Sequence, residues 1–85
     1  MTTMIDMTSL VLRRFTYHSE RRLSPAAMAM EIDNERTIWH RRATTGPPRA
    51  RATARYFAAA GLWTHIGALL DSGATYADVF DWLDS

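Results

Sequence analysis

The 85-residue sequence contains no cysteine and no lysine, and its apolar runs are only a few residues long. Without cysteine, neither a disulfide framework nor a thiolate zinc site can form. Runs this short cannot make a membrane-spanning helix. The opening MTTMIDMTSLVLRRF lacks the basic segment followed by an apolar stretch that marks a secretory signal. These absences predict a soluble protein with no membrane partner that stays in the cytoplasm where it is made. Catalytic signatures are missing too. The chain has no Gly-rich phosphate loop, no His-Glu-x-x-His and no nucleophile beside a base. His18, His40 and His65 fall on different predicted helices and have no metal-ligand spacing. Asp78 and Asp81, three apart, read as dipole-compensating and solvating charges. The expectation is no catalytic residue, no metal, no cofactor and no small-molecule substrate.

What is present is charge sorted along the chain. All ten basic residues are arginine and lie between Arg13 and Arg55; with Glu20, Glu31, Asp33 and Glu35 subtracted, that segment sums to +6. From Tyr56 onward there are only Asp71, Asp78, Asp81 and Asp84, a sum of −4, so the overall +1 conceals a basic middle and an acidic end. This polarity assigns an anionic partner to the middle and a different task to the tail. Arginine in place of lysine fits a GC-rich genome and equally fits bidentate contacts to phosphate and guanine.

The periodicity is helical throughout. Met7, Leu10, Val11, Phe15 and His18 recur at three- and four-residue steps, predicting a packing helix from Asp6 or Thr8 to about Arg21 with His18 at its rim or in the core. Ser24-Pro25 is an N-cap followed by proline at the first helical position, and starts a second helix ending near Ile32. Asp33-Asn34-Glu35 reads as a turn and cap before a third helix, ERTIWHRRATT, with Ile38, Trp39 and Arg42 on one side and Arg36, Thr37, His40, Arg41 and Thr44 on the other. Gly46 and Pro47-Pro48 stop it, and a fourth helix from Arg49 to Ala60 buries Tyr56, Phe57 and its alanines and closes at Gly61. Leu62 to Asp71 makes a fifth helix, ended by Ser72-Gly73. Thr75-x-x-Asp78 then caps a sixth, Tyr76 to Leu83.

The resulting expectation is one all-α domain, 1–85, a compact bundle of five or six short helices containing a helix-turn-helix. Residues 1–61 form its basic, DNA-reading part, and residues 62–85 are acidic, aromatic helices that close the core or dimerise. In that arrangement one helix braces and the next lies in the major groove of double-stranded DNA. Arg36, Thr37, His40 and Arg41 supply donors for base edges, and Arg42, Arg49, Arg51 and Arg55 clamp phosphates. Trp63, Phe80, Trp82 and Leu83 serve packing as well as a homodimer or partner contact, with Leu83 turned inward and Trp82 or Phe80 at the contact, on helices that are acidic and therefore turned away from DNA.

The segments RLSPAAMAMEI, RTIWHRR and TGPPRARATARYFAAAGLW resemble the Cro/repressor-like helix-turn-helix family, particularly small regulators carried by actinobacterial phages. The resemblance covers about half the chain. It implies operator binding, usually as a dimer, with helix three in the major groove, and hence a transcriptional regulator working in a host bacterial cytoplasm. The family's usual turn has a Gly, an aliphatic residue and a Ser, where this chain has Asp33-Asn34-Glu35. Two other functions suit the same composition: a protein-interaction module using the acidic aromatic C-terminus, and a small recombination accessory factor.

Overall fold

A computed structural model describes residues 7–45 and 50–85, with the side chains of Ala50 and Arg51 outside the description. The described residues form four helices and no strand: α1 (Met7–Glu20), α2 (Pro25–Thr44), α3 (Ala50–Asp71) and α4 (Tyr76–Asp84). The all-α expectation is met, with fewer and longer helices than the sequence predicts.

The caps lie where the sequence places them. Ser24 Oγ accepts from the Ala27 amide at 3.1 Å, and Pro25 opens α2. Thr75 and Asp78 make a reciprocal capping box at the start of α4. Asp78 N–H donates to Thr75 Oγ1 at 3.1 Å and Thr75 N–H donates to Asp78 Oδ2 at 2.8 Å. These bonds hold the Asp78 carboxyl below the ordinary aspartate pKa, the Thr75 backbone N–H being the larger cause. At the end of α3, Gly73 adopts φ +99°. Its N–H donates to Leu70 O at 3.1 Å and the Ala74 N–H to Leu69 O at 3.0 Å, the paired bonds of a glycine-terminated helix.

Two predicted breaks are absent. Asp33-Asn34-Glu35 is not a turn but the middle of the 20-residue α2. All three residues find roles inside a helix: Asp33 accepts from Arg36 one turn on, Asn34 faces solvent, and Glu35 points inward. With no turn there, the brace-and-reader pair predicted over residues 25–45 is one continuous helix. Gly61 likewise does not end a helix, and the predicted fourth and fifth helices are the single 22-residue α3. A helix-interior glycine costs only about 1 kcal/mol, which the packing of Ala59, Ala60, Trp63 and Ile66 offsets. The predicted stop at Gly46 and Pro47-Pro48 lies outside the described residues.

α2 and α3 form an antiparallel hairpin. Trp39 meets Tyr56 with ring centroids 5.7 Å apart, His40 meets Phe57 at 5.7 Å, and a Cβ added at Gly67 would lie 3.5 Å from Ile32 Cγ2. The buried positions on α2 are Met28, Ile32 and Glu35, with Trp39 partly buried in the same row. This row of steps of three and four is the seam of the hairpin. α1 lies against the seam through Val11, Phe15 and His18, all buried. α4 closes the other side: Phe15 meets Tyr76 and Phe80 edge-on, with centroids 5.7 and 5.1 Å away. Trp63, wholly buried, sits 6.5 Å from Phe15 and 6.1 Å from His18.

A charged cluster joins α1 to α2. Glu35 Oε2 accepts from Arg14 Nε at 3.0 Å and lies 3.2 Å from His18 Nε2. Arg21 Nη1 donates to Glu31 Oε2 at 2.8 Å. His18 Nδ1 stands 3.4 Å from both of those partners. A histidine only 2% exposed is thereby bracketed by two carboxylates and a guanidinium, which is how a buried imidazole and a buried carboxylate are tolerated.

Candidate nucleic-acid interface

Between Glu35 and Asp71 the sequence holds six arginines and no acidic residue. The hairpin folds that run back on itself. Arg41 and Arg42 end α2, Arg55 lies on the second turn of α3, and the Trp39–Tyr56 contact holds the two helices together beside them. The basic residues therefore collect at one end of the hairpin, away from the capped start of α2 and from α4.

The arginines divide by partner. Arg14 is bonded to Glu35, Arg21 to Glu31, and Arg36 to Asp33, the last through Nε at 3.2 Å and Nη2 at 2.7 Å. Arg13, Arg22, Arg41, Arg42 and Arg55 have no carboxylate within ion-pair distance among the described residues. Three of those five, Arg41, Arg42 and Arg55, are at the hairpin end. Arg42 lies over the Trp39 ring, 4.7 Å from its centroid, which restrains the side chain while leaving the guanidinium hydrogens available. Arg41 and Arg42 also stand in the last turn of α2, where positive charge offsets the helix dipole. His40 and Phe57 meet edge-on, and Phe57 is 45% exposed, so the surface is aromatic as well as basic.

The residues predicted to reach bases separate. His40 and Arg41 are exposed. Thr37 is half-buried, and Arg36 is held by Asp33. Of the residues predicted to reach phosphate, Arg42 is exposed and Arg55 half-buried. Arg49 and the side chain of Arg51 lie outside the described residues. Some expected burials are reversed: Ile38, placed on the apolar side with Trp39, is 42% exposed, and Phe57, Ala54 and Ala58, expected inside, are on the surface. For Ile38 the reason is the course of α2, whose seam runs Met28, Ile32, Glu35, Trp39 and leaves Ile38 to one side.

Of the tail residues expected to serve packing as well as assembly, Trp63 is fully buried and Leu83 is 5% exposed, so both are core residues of the chain. Phe80 is half-buried against Phe15, and Trp82 stacks on His65 with centroids 4.2 Å apart.

The cation–aromatic pair Arg42–Trp39 was not legible in the sequence as part of the surface, although the three-residue step between them is its one sequence signal. The buried Glu35 left no such signal, since an acid among polar neighbours reads as surface. Among the described residues, no group of three His, Cys, Asp or Glu could hold a metal ion, and no helix is long and apolar enough to cross a membrane. Compared with protein-family models, curated proteins and solved structures, the chain matches none.

Proposed function

We propose that this chain is a double-stranded DNA-binding protein, a regulator of the repressor type that acts by occupying its site. Its contact surface is the arginine-bearing end of the α2–α3 hairpin. One observation carries the reading: an acid-free run with six arginines is folded into a hairpin, so that Arg41, Arg42 and Arg55 gather at one end with no carboxylate among the described residues to neutralise them. Uncompensated guanidinia on rigid helices suit phosphate, and exposed His40 and Arg41 on the last turns of α2 are the groups available for base edges. Arg36 and Thr37 take a positioning part in this proposal, because Asp33 already holds Arg36. The helix inserted is a long one, not the second member of a short helix-turn-helix at residues 25–45.

Fluorescence anisotropy with a labelled random duplex at two salt concentrations tests the reading. If Arg42, Arg49, Arg51 and Arg55 each neutralise one phosphate, log K against log salt has a slope of roughly −3 to −4. A slope near zero, or no binding at low salt, would favour a protein-interaction module whose contact is the acidic end of the chain.

A further inference from the structure

α1 meets α2 at Glu31 and Glu35, and the other face of the α2–α3 hairpin carries both a hole and a knob. The hole is a cleft of about 750 Å³ between the first turns of α2, the last turns of α3 and the start of α4. Met28, Ile32 and Leu70 give it apolar walls, and the small residues Ala29 and Gly67 leave it open. A Cβ added at Gly67 would touch only Ile32, at an ordinary 3.5 Å, so the packing of the chain itself does not demand a glycine there. The knob is Phe57, 45% exposed, with His40 edge-on against it at 5.7 Å between centroids.

Helical spacing sets knob and hole on one face. On α3, Phe57, Thr64 and Asp71 recur every seven residues, and the last two line the cleft. On α2, Ala29, Asp33, Arg36 and His40 follow at steps of four, three and four, and the first three line it. An exposed phenyl ring beside an open apolar cleft on the same face is the self-complementary pattern of a two-fold contact, in which each copy supplies what the other lacks.

Charge decides the orientation. Asp33, Arg36 and Asp71 stand at the cleft; Asp33 is bonded to Arg36, and Asp71 has no ion-pair partner among the described residues, so the mouth is net negative. The knob lies in the acid-free run between Glu35 and Asp71, and exposed Arg41 follows His40. A two-fold axis across the hairpin lays each basic knob on the other copy's acidic mouth, whereas an axis along it would set like charge on like. Knob and hole are about 15–17 Å apart on both helices at 1.5 Å per residue, so both contacts form at once.

We propose that the chain pairs with a second copy of itself, antiparallel and face to face, with Phe57 inserted between the partner's Ala29 and the partner's Gly67. An apolar cavity of about 150 Å³ holds a benzene ring, so the cleft has room for the phenyl and for His40 beside it. Arg42 and Arg55, each two residues from His40 or Phe57, point off this face. Pairing thus covers His40, leaves Arg41, Arg42 and Arg55 outside at the two ends of the dimer, and needs no DNA.

Sedimentation equilibrium of the whole chain without DNA is the test, with circular dichroism to confirm wild-type helical content in each variant. Phe57→Ala removes the knob; Ala29→Leu and Thr64→Leu fill the hole from exposed positions on the two helices. Each should weaken self-association roughly tenfold or more, the scale of a buried aromatic anchor. Mixed in equal amounts, Phe57→Ala and Ala29→Leu should associate with each other more tightly than either does with itself, because one keeps the hole and the other keeps the knob. Trp82→Ala, off this face, should self-associate as the wild type does. A wild-type monomer at millimolar concentration, unchanged self-association in Phe57→Ala or in both filled-hole variants, or no gain on mixing would overturn the assignment. Loss in Trp82→Ala alone would move the contact to the tail and overturn it as well.

Discussion

Glu35 occupies a seam position that an aliphatic residue would ordinarily fill, and it is tolerated because α1 brings His18 and Arg14 to its carboxylate. The two partners do not contribute equally. Arg14 is 46% exposed, so water screens its ion pair, whereas His18 is buried and would lose its only nearby carboxylate on that side of the ring. Glu35→Ala is therefore expected to destabilise the protein by about 2–3 kcal/mol, chiefly through the stranded His18 Nε2. Arg14→Ala should cost well under half of that. Urea unfolding of the two variants measures the difference, and equal losses would place the weight on the exposed pair instead.

Among the elements, caps were the legible part and helix continuity was not. Ser24-Pro25 and Thr75-x-x-Asp78 act through local bonds spanning three residues, so the sequence alone suffices to find them. Asp33-Asn34-Glu35 and Gly61 have the same local chemistry as a cap or a stop, but distant contacts decide their state: Glu35 bonds across to α1, and the residues around Gly61 are buried. The arginine surface was legible as composition, while its gathering at one end depended on α2 and α3 being continuous and antiparallel. The division of the tail between core and partner contact was left open for a related reason. An aromatic, apolar tail suits a core as well as a partner, and only the packing of α4 on Phe15 chooses between them.

Two further outcomes belong to the elements. Gly61 is exposed within α3 and a Cβ there meets nothing within 4 Å, so Gly61→Ala should raise stability by about 0.5–1 kcal/mol, read as a higher Tm. A lower Tm would mean that α3 is broken at that point. For α4, the folded-state pKa of Asp78 is depressed by its bonds to Thr75, so its contribution is fully present above the unfolded value of about 3.9. It is lost as pH falls through the lower folded value. Between pH 5 and pH 2 the wild type should therefore lose more stability than Asp78→Asn does; parallel losses would show that the capping box is not the acid-sensitive contact.

For the whole molecule, charge and shape coincide: the hairpin end is basic, while Asp78, Asp81 and Asp84 mark α4. This separation is what a protein needs to approach DNA in one orientation. Self-association, where a site of two half-sites requires it, has only Phe80 and Trp82 left from the predicted partner surface, since Trp63 and Leu83 are interior. The most direct measurement is duplex affinity at low salt for two variants with near-equal loss of charge and wild-type circular dichroism. One is the triple Arg41→Gln, Arg42→Gln, Arg55→Gln, and the other is the double Arg13→Gln, Arg22→Gln, which removes unpaired cations from outside the hairpin. The triple variant should lose binding by a hundredfold or more, on the order of 1 kcal/mol for each guanidinium contact, while the double variant changes little. Similar losses in both would contradict it, showing that any affinity comes from net charge alone and not from the end of the α2–α3 hairpin.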